Sequence, residues 1–304
     1  MHTANTIRSI ATFIFATAIT IAAHQSSAQH TTFTLLGDPN PAAASTPSHR
    51  KAVHPISSPY FHEDSFITND VRAWFLYHDF PNASVIDGGN AKVYAAQLRL
   101  AITNQLQLVA YKDGYTDFDS GLLSDDGTND IAAGLKWAFL QDFDNQLHAA
   151  AGVGYEFKTG DGDVLQNSSD LRLWTSVNKG FENLHLGFTA NLHISDDGHG
   201  SFGSADSLSW HIHADYYACQ FFSPVIELNG YHTINEDDLA PLPFQGIDVA
   251  SLGGGKGEDV VTIAFGSEIR PCDFASFRFA YETPLTDSTD LFGYRWTFSM
   301  VIPF

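Results

Sequence analysis

From Asp70 onward, apolar positions alternate with polar or small ones at a period of two, in segments of about ten residues closed by Gly, Asp, Asn, Pro or Ser. Twelve such segments stand out: 70–78, 91–102, 105–115, 130–140, 146–157, 170–180, 184–194, 207–219, 224–232, 258–269, 275–283 and 292–304. In the last, Tyr294, Trp296, Phe298, Met300, Ile302 and Phe304 share one face, against Arg295, Thr297, Ser299 and Val301 on the other. In 184–194, Leu184, Leu186, Phe188, Ala190, Leu192 and Ile194 oppose His185, Gly187, Thr189, Asn191 and His193. Successive side chains of a strand point to opposite faces, so each segment predicts a β-strand with one oily and one polar face.

The connections decide how such strands assemble. Short gaps near Thr103, Asp142, Gly180, Gln220 and Pro271 alternate strictly with longer stretches rich in Asp, Gly and Ser. That rhythm predicts an all-β, single-chain antiparallel up-and-down transmembrane β-barrel of about 12 strands, with short periplasmic turns and longer extracellular loops. In such a barrel the apolar faces meet lipid and the polar faces line the lumen, the reverse of a soluble sandwich. Tyr94, Trp137, Tyr155, Trp210, Tyr216, Tyr281, Tyr294 and Trp296 fall on the predicted lipid faces, many near segment ends, where interfacial aromatics belong.

The N-terminal region has a different texture. Arg8 precedes an apolar run, Ile10 to Ala23, and Ser26-Ser27-Ala28 offers small residues for cleavage before Gln29. This reads as a signal peptide over 1–28, since the run is shorter than the roughly 20 residues of a spanning helix. Residues 29–66 are rich in Pro, Ser, Ala and His without a period, and read as a flexible periplasmic N-terminal arm before a barrel at 67–304. The expected location is the outer membrane, after export to the periplasm.

Composition narrows the function. A formal net charge of −20 argues against nucleic acid as a partner, and 16% charged residues with 24 Phe and 24 Gly suit a barrel better than a soluble domain. The two cysteines, Cys219 and Cys272, exclude a disulfide scaffold. Both fall at predicted periplasmic turns that neighbour each other along the rim, which predicts a disulfide between them. The expected partners are outer-membrane lipid, the barrel-assembly machinery and a small-molecule solute.

Phe304, with Ile302, Met300, Phe298 and Trp296 at every second place before it, resembles the C-terminal strand signature of Gram-negative outer-membrane barrels, which implies recognition by their assembly machinery. More loosely, loops such as Lys112-Asp113-Gly114-Tyr115 and Val153-Gly154-Tyr155-Glu156-Phe157 resemble the phenol-degradation outer-membrane family, relatives of the hydrophobic-substrate transporters. That resemblance implies a passive channel or transporter for small solutes, hydrophobic or aromatic ones included.

Taking the polar face as inward, the wall carries Arg72, Arg99, Lys136, Arg172, Arg278 and Arg295, with Glu156, Asp215, Glu227, Glu268 and Glu282. His148, His185, His193, His211 and His213 join them. Such a wall is either a polar constriction that orders solutes by charge and size, or a set of groups that satisfy one another in a narrow barrel. Arg278, Glu282, Arg295 and Glu268 are expected to form a charged ladder. Conductance depends on whether the arm folds inside, because twelve strands lie between a filled barrel and an open one.

Other chemistry is weaker. His211 and His213 share a face with Asp215 near His193 and are weak metal candidates, and no cofactor is expected. The acidic loops Asp125-Asp126, Asp161-Gly162-Asp163, Asp196-Asp197 and Glu236-Asp237-Asp238 lack a calcium-loop spacing and read as solvated. Ser209, His211 and Asp215 are the nearest approach to a nucleophile, a base and an orienting group. They point away from lipid, and no nucleophile elbow accompanies them, so the chain reads as a non-enzyme. A structural or adhesive barrel without transport is the alternative, and a lipid-modifying enzyme the remoter one.

Overall fold

The computed structural model describes residues 33–39, 51–84, 86–122, 124–161, 169–195, 206–235, 260–272, 274–286 and 292–304. The expected signal peptide and two of the acidic loops, 196–197 and 236–238, lie outside the described residues.

Among the described residues, fourteen strands follow in chain order: β1 (Asp70–Phe80), β2 (Gly89–Ala101), β3 (Leu106–Lys112), β4 (Tyr115–Ser120), β5 (Ser124–Thr128), β6 (Ile131–Asp142), β7 (Leu147–Phe157), β8 (Asp170–Phe181), β9 (Leu184–Ser195), β10 (Asp206–Tyr216), β11 (Phe222–Asn235), β12 (Val260–Cys272), β13 (Ala275–Pro284) and β14 (Tyr294–Pro303). Twelve of them close an antiparallel barrel, with β4 and β5 as an added hairpin. Closure comes from β1, which pairs with β2 from Asp70↔Arg99 to Phe80↔Gly89 and with β14 from Asp70↔Pro303 to Asp79↔Tyr294. A closed ladder leaves no unpaired edge. The connections 102–105, 143–146, 182–183, 217–221 and 273–274 join strands at one end, which also holds both barrel termini and is called the turn end below. The opposite end is called the loop end.

The β4–β5 hairpin departs from the expectation of one strand over 105–115. That segment stops at Lys112, with a bulge between Ala110 and Lys112 in its pairing with β6. β2 then changes partner, pairing with β3 at Leu98–Ala101 and with β4 at Gly89–Tyr94. At the changeover the Asp113 carboxylate accepts the Ala96 N–H at 2.6 Å in place of a ladder bond. Gly114, at φ +104°, is forced here: a Cβ would lie 2.1 Å from the Tyr94 carbonyl oxygen. Asp125-Asp126, read as loop, lies in β5, while Val153 to Phe157 lies in β7, within the strand expected over 146–157.

The alternation resolves as expected. Trp137, Phe188, Phe265, Trp296 and Phe298 are among many large apolar side chains exposed on the outside, while Arg72, Arg99, Lys136, Arg172 and Glu282 are buried within. Tyr94 and Tyr216 are each 50% exposed on the outer wall. An apolar exterior of this extent around a charged interior is the inverse of a soluble protein's arrangement.

Of the arm expected over 29–66, residues 33–39 and 51–66 are described. Residues 51–69, instead of forming a flexible periplasmic segment, fold back into the barrel and fill it. All of 52–70 are buried. Lys51 enters at the turn end, where its Nζ donates to Asn183 Oδ1 and its carbonyl accepts from Arg270. A turn closed by the His62 N–H and the Ser58 carbonyl, with Ser58 at φ +58°, reverses the chain near the loop end. The second limb descends to Asn69, which caps the Ala101 N–H and the Phe33 carbonyl, and β1 begins.

Candidate functional site

The lumen and its plug form one polar assembly, and the two limbs of the plug meet walls of opposite sign. The ascending limb offers backbone N–H groups to acids. Val53 N–H donates to Asp215 at 2.8 Å, and Ile56 and Ser57 N–H donate to the two oxygens of Glu227 at 2.9 and 2.6 Å. The descending limb offers carboxylates to cations. Arg99 donates to Glu63 at 2.8 Å, and Lys136 lies 3.5 Å from Glu63, 3.3 Å from Asp64 and 3.1 Å from the Phe66 carbonyl. Asp64 is also 3.7 Å from Arg72 and shares a short hydrogen bond with His54.

At the tip, Arg172 donates to the Tyr60 and Phe61 carbonyls while two of its nitrogens hold Asn191 Oδ1. Its guanidinium packs over Tyr111 and Tyr60, 4.7 and 5.1 Å from the ring centroids. Charge-assisted and cation–π contacts of this kind are strong where water is excluded. Trp174 beside them fits because Gly152 lies opposite it in the ladder, where a Cβ would come within 2.2 Å of the indole.

Every lumen residue expected from the sequence faces inward and is buried: Arg72, Arg99, Lys136, Glu156, Arg172, His211, His213, Asp215, Glu227, Glu268, Arg278, Glu282 and Arg295. The expected ladder forms as two adjacent pairs. Arg278 meets Glu268 at 2.5 Å, and Arg295 holds Glu282 through Nε and Nη2 at 3.0 and 2.6 Å. Several partners went unrecognised in the sequence. Asp70 pairs with Arg72, Lys112 with Glu156, and Glu63 and Asp64 with the cations above. Lys112 sits just beyond the β3 bulge, which puts it on the inner face out of phase with the alternation; the arm has no period to place its acids.

His211 and His213, the weak metal candidates, each bond different partners. His211 bonds Asn229 and Ser209, whereas His213 hydrogen-bonds Glu227 at 2.6 Å and Asp215 at 3.4 Å. His193 sits instead near Glu156 and Asp170, the three offering ligand atoms within 4.8 Å of one another. Glu156 there is already engaged by the Lys112 ammonium and the Tyr60 hydroxyl, which supply the positive charge and donors a cation would otherwise bring. The serine reading also changes. Ser209 does bond His211, at 3.0 Å, but Asn229 rather than Asp215 orients the imidazole, at 2.8 Å. Phe61 and His62 stack on that ring, so the seated plug covers it.

The expected disulfide is absent, and both cysteines are free thiols. Continuing the β11–β12 register past Phe222↔Ile269 would bring them face to face. Each curls into its own turn instead: Cys219 bridges to Phe222, and Cys272 pairs with Ala275 across the β12–β13 turn.

No protein-family model and no curated protein matches the chain. The resemblance to the phenol-degradation family therefore rests on its quoted segments alone. Among solved structures, similarity in shape extends to the NanC porin (10% identity, 78% of this chain and 98% of that one, TM-score 0.48). It extends also to the KdgM porin (10% identity, 77% and 99%, TM-score 0.44). A third is the β-domain of the Bordetella autotransporter BrkA (9% identity, 78% and 99%, TM-score 0.47). These likenesses assign no activity to this chain.

Proposed function

We propose that this chain spans the outer membrane as a passive channel for small polar solutes, closed in this state by its own residues 51–69. The observation that supports the reading is the way the lumen is filled. The plug is a separate hairpin held by side-chain bonds, and outside its turn it forms no strand of the closed sheet. Removing it leaves the barrel ladder whole and exposes a charged, hydratable wall. The apolar exterior supports placement in a bilayer, where a closed barrel satisfies every backbone group. The outward row Trp296, Phe298, Met300, Ile302 and Phe304 is then what the assembly machinery would read. A charged lumen favours polar solutes over the hydrophobic or aromatic ones that the family resemblance implies.

A structural barrel with a permanent plug is the second reading, favoured by the completeness of the same filling. Planar-bilayer recording of the full chain separates the two. Mild urea should unseat the plug before the sheet opens and produce discrete conductance steps that reverse on washout. Silence up to barrel unfolding would leave the structural reading.

A further inference from the structure

We infer that the unplugged lumen takes carboxylate-bearing solutes, which bind where the plug's own Glu63 and Asp64 now sit. This rests on the channel reading above. Most wall charges have a partner within the wall: Arg72 has Asp70, Lys112 has Glu156, Arg278 has Glu268 and Arg295 has Glu282. Three cations do not follow that pattern. Among the described residues, Arg99 meets a carboxylate only at Glu63, and Lys136 only at Glu63 and Asp64. Arg172 is met by the plug carbonyls of Tyr60 and Phe61 and by the neutral Asn191.

When the plug leaves, its carboxylates and carbonyls leave together, and β2, β6 and β8 present three cations on one side of the lumen that have lost the groups they bonded, with Asp70, itself paired to Arg72, opposite Arg99 across the β1–β2 ladder. Arg99 has spare capacity even in the closed state, since its Nε is buried without a hydrogen-bond partner. Across the lumen, Glu227 loses the Ile56 and Ser57 N–H donors and the Ser57 hydroxyl, keeping His213 and gaining room for donors. A solute with a carboxylate at one end and N–H or O–H groups at the other reproduces what the plug supplies. The plug thus occupies the site as a tethered competitor, and solute entry and plug seating exclude each other.

The test uses the full chain carrying Glu63→Gln and Asp64→Asn in planar bilayers under a KCl gradient. Succinate is the probe, with its neutral diamide as control. The expected result is a conducting variant whose reversal potential favours chloride and whose current is blocked by succinate but not by the diamide. Adding Arg99→Gln and Lys136→Gln should raise the half-blocking concentration by about tenfold or more, the loss of at least one charge-assisted contact. Conductance without chloride preference, or a succinate block that survives Arg99→Gln and Lys136→Gln, overturns this inference and leaves the channel reading standing. Absence of conductance in every variant overturns both. If the double variant does not fold, Glu63→Gln alone carries the same comparison.

Discussion

Neutralising the plug's two carboxylates should open the barrel without loosening it. In Glu63→Gln/Asp64→Asn, shape is conserved while Arg99 and Lys136 lose their ion-pair partners and Arg72 loses one of two. All three cations are buried, each 1% exposed or less. Stranding a buried charge costs about 3–5 kcal/mol. The barrel can avoid that cost by releasing the plug, which lets water reach the cations. The penalty therefore falls on the closed state and shifts the closed–open balance by roughly a hundredfold to a few thousandfold. Amide exchange at Ile56 and Ser57, whose N–H groups are held by Glu227, reports seating directly. Both amides should lose protection by that factor, while amides in the β1–β14 and β1–β2 ladders keep theirs. Unchanged protection at Ile56 and Ser57 would refute the claim that these ion pairs hold the plug.

Three further outcomes follow from other parts of the molecule. Glu227→Leu removes the acceptor of two backbone donors and should release the ascending limb, seen as protease cleavage within 51–58 that wild type resists; each lost bond to a charged group weighs about 1.5–3 kcal/mol. Phe188→Arg, on the exposed face of β9, should cost about 2–4 kcal/mol of unfolding free energy in lipid vesicles, and an unaltered value would mean that this face does not meet hydrocarbon. Gly152→Val should force Trp174 out of its place and lower the yield of folded barrel by heat-modifiable gel mobility, an overpacking cost of about 1–3 kcal/mol, whereas normal yield would show that the indole can move aside.

Strand identity and facing are legible in the order of residues, because a period of two is a local property. Tyr294 to Phe304 and Leu184 to Ile194 declare their outer faces from adjacent residues alone, and closing the sheet does not alter which way they point. The same alternation assigns Arg99, Lys136, Arg172 and Glu227 to the lumen. It does not name their partners, since those come from a segment without period at long sequence separation: Glu63 is 36 residues from Arg99, and Ile56 is 171 from Glu227. Asp113 and Gly114 illustrate a second limit, where a change of strand partner turns one expected strand into two and adds a hairpin. Cys219 and Cys272 illustrate a third, because register alone brings them together while turn geometry carries each away. Local chemistry determined the wall of this barrel; only the folded chain decided that its N-terminal arm becomes the counter-ion of that wall, since a plug exists only once there is a lumen to fill.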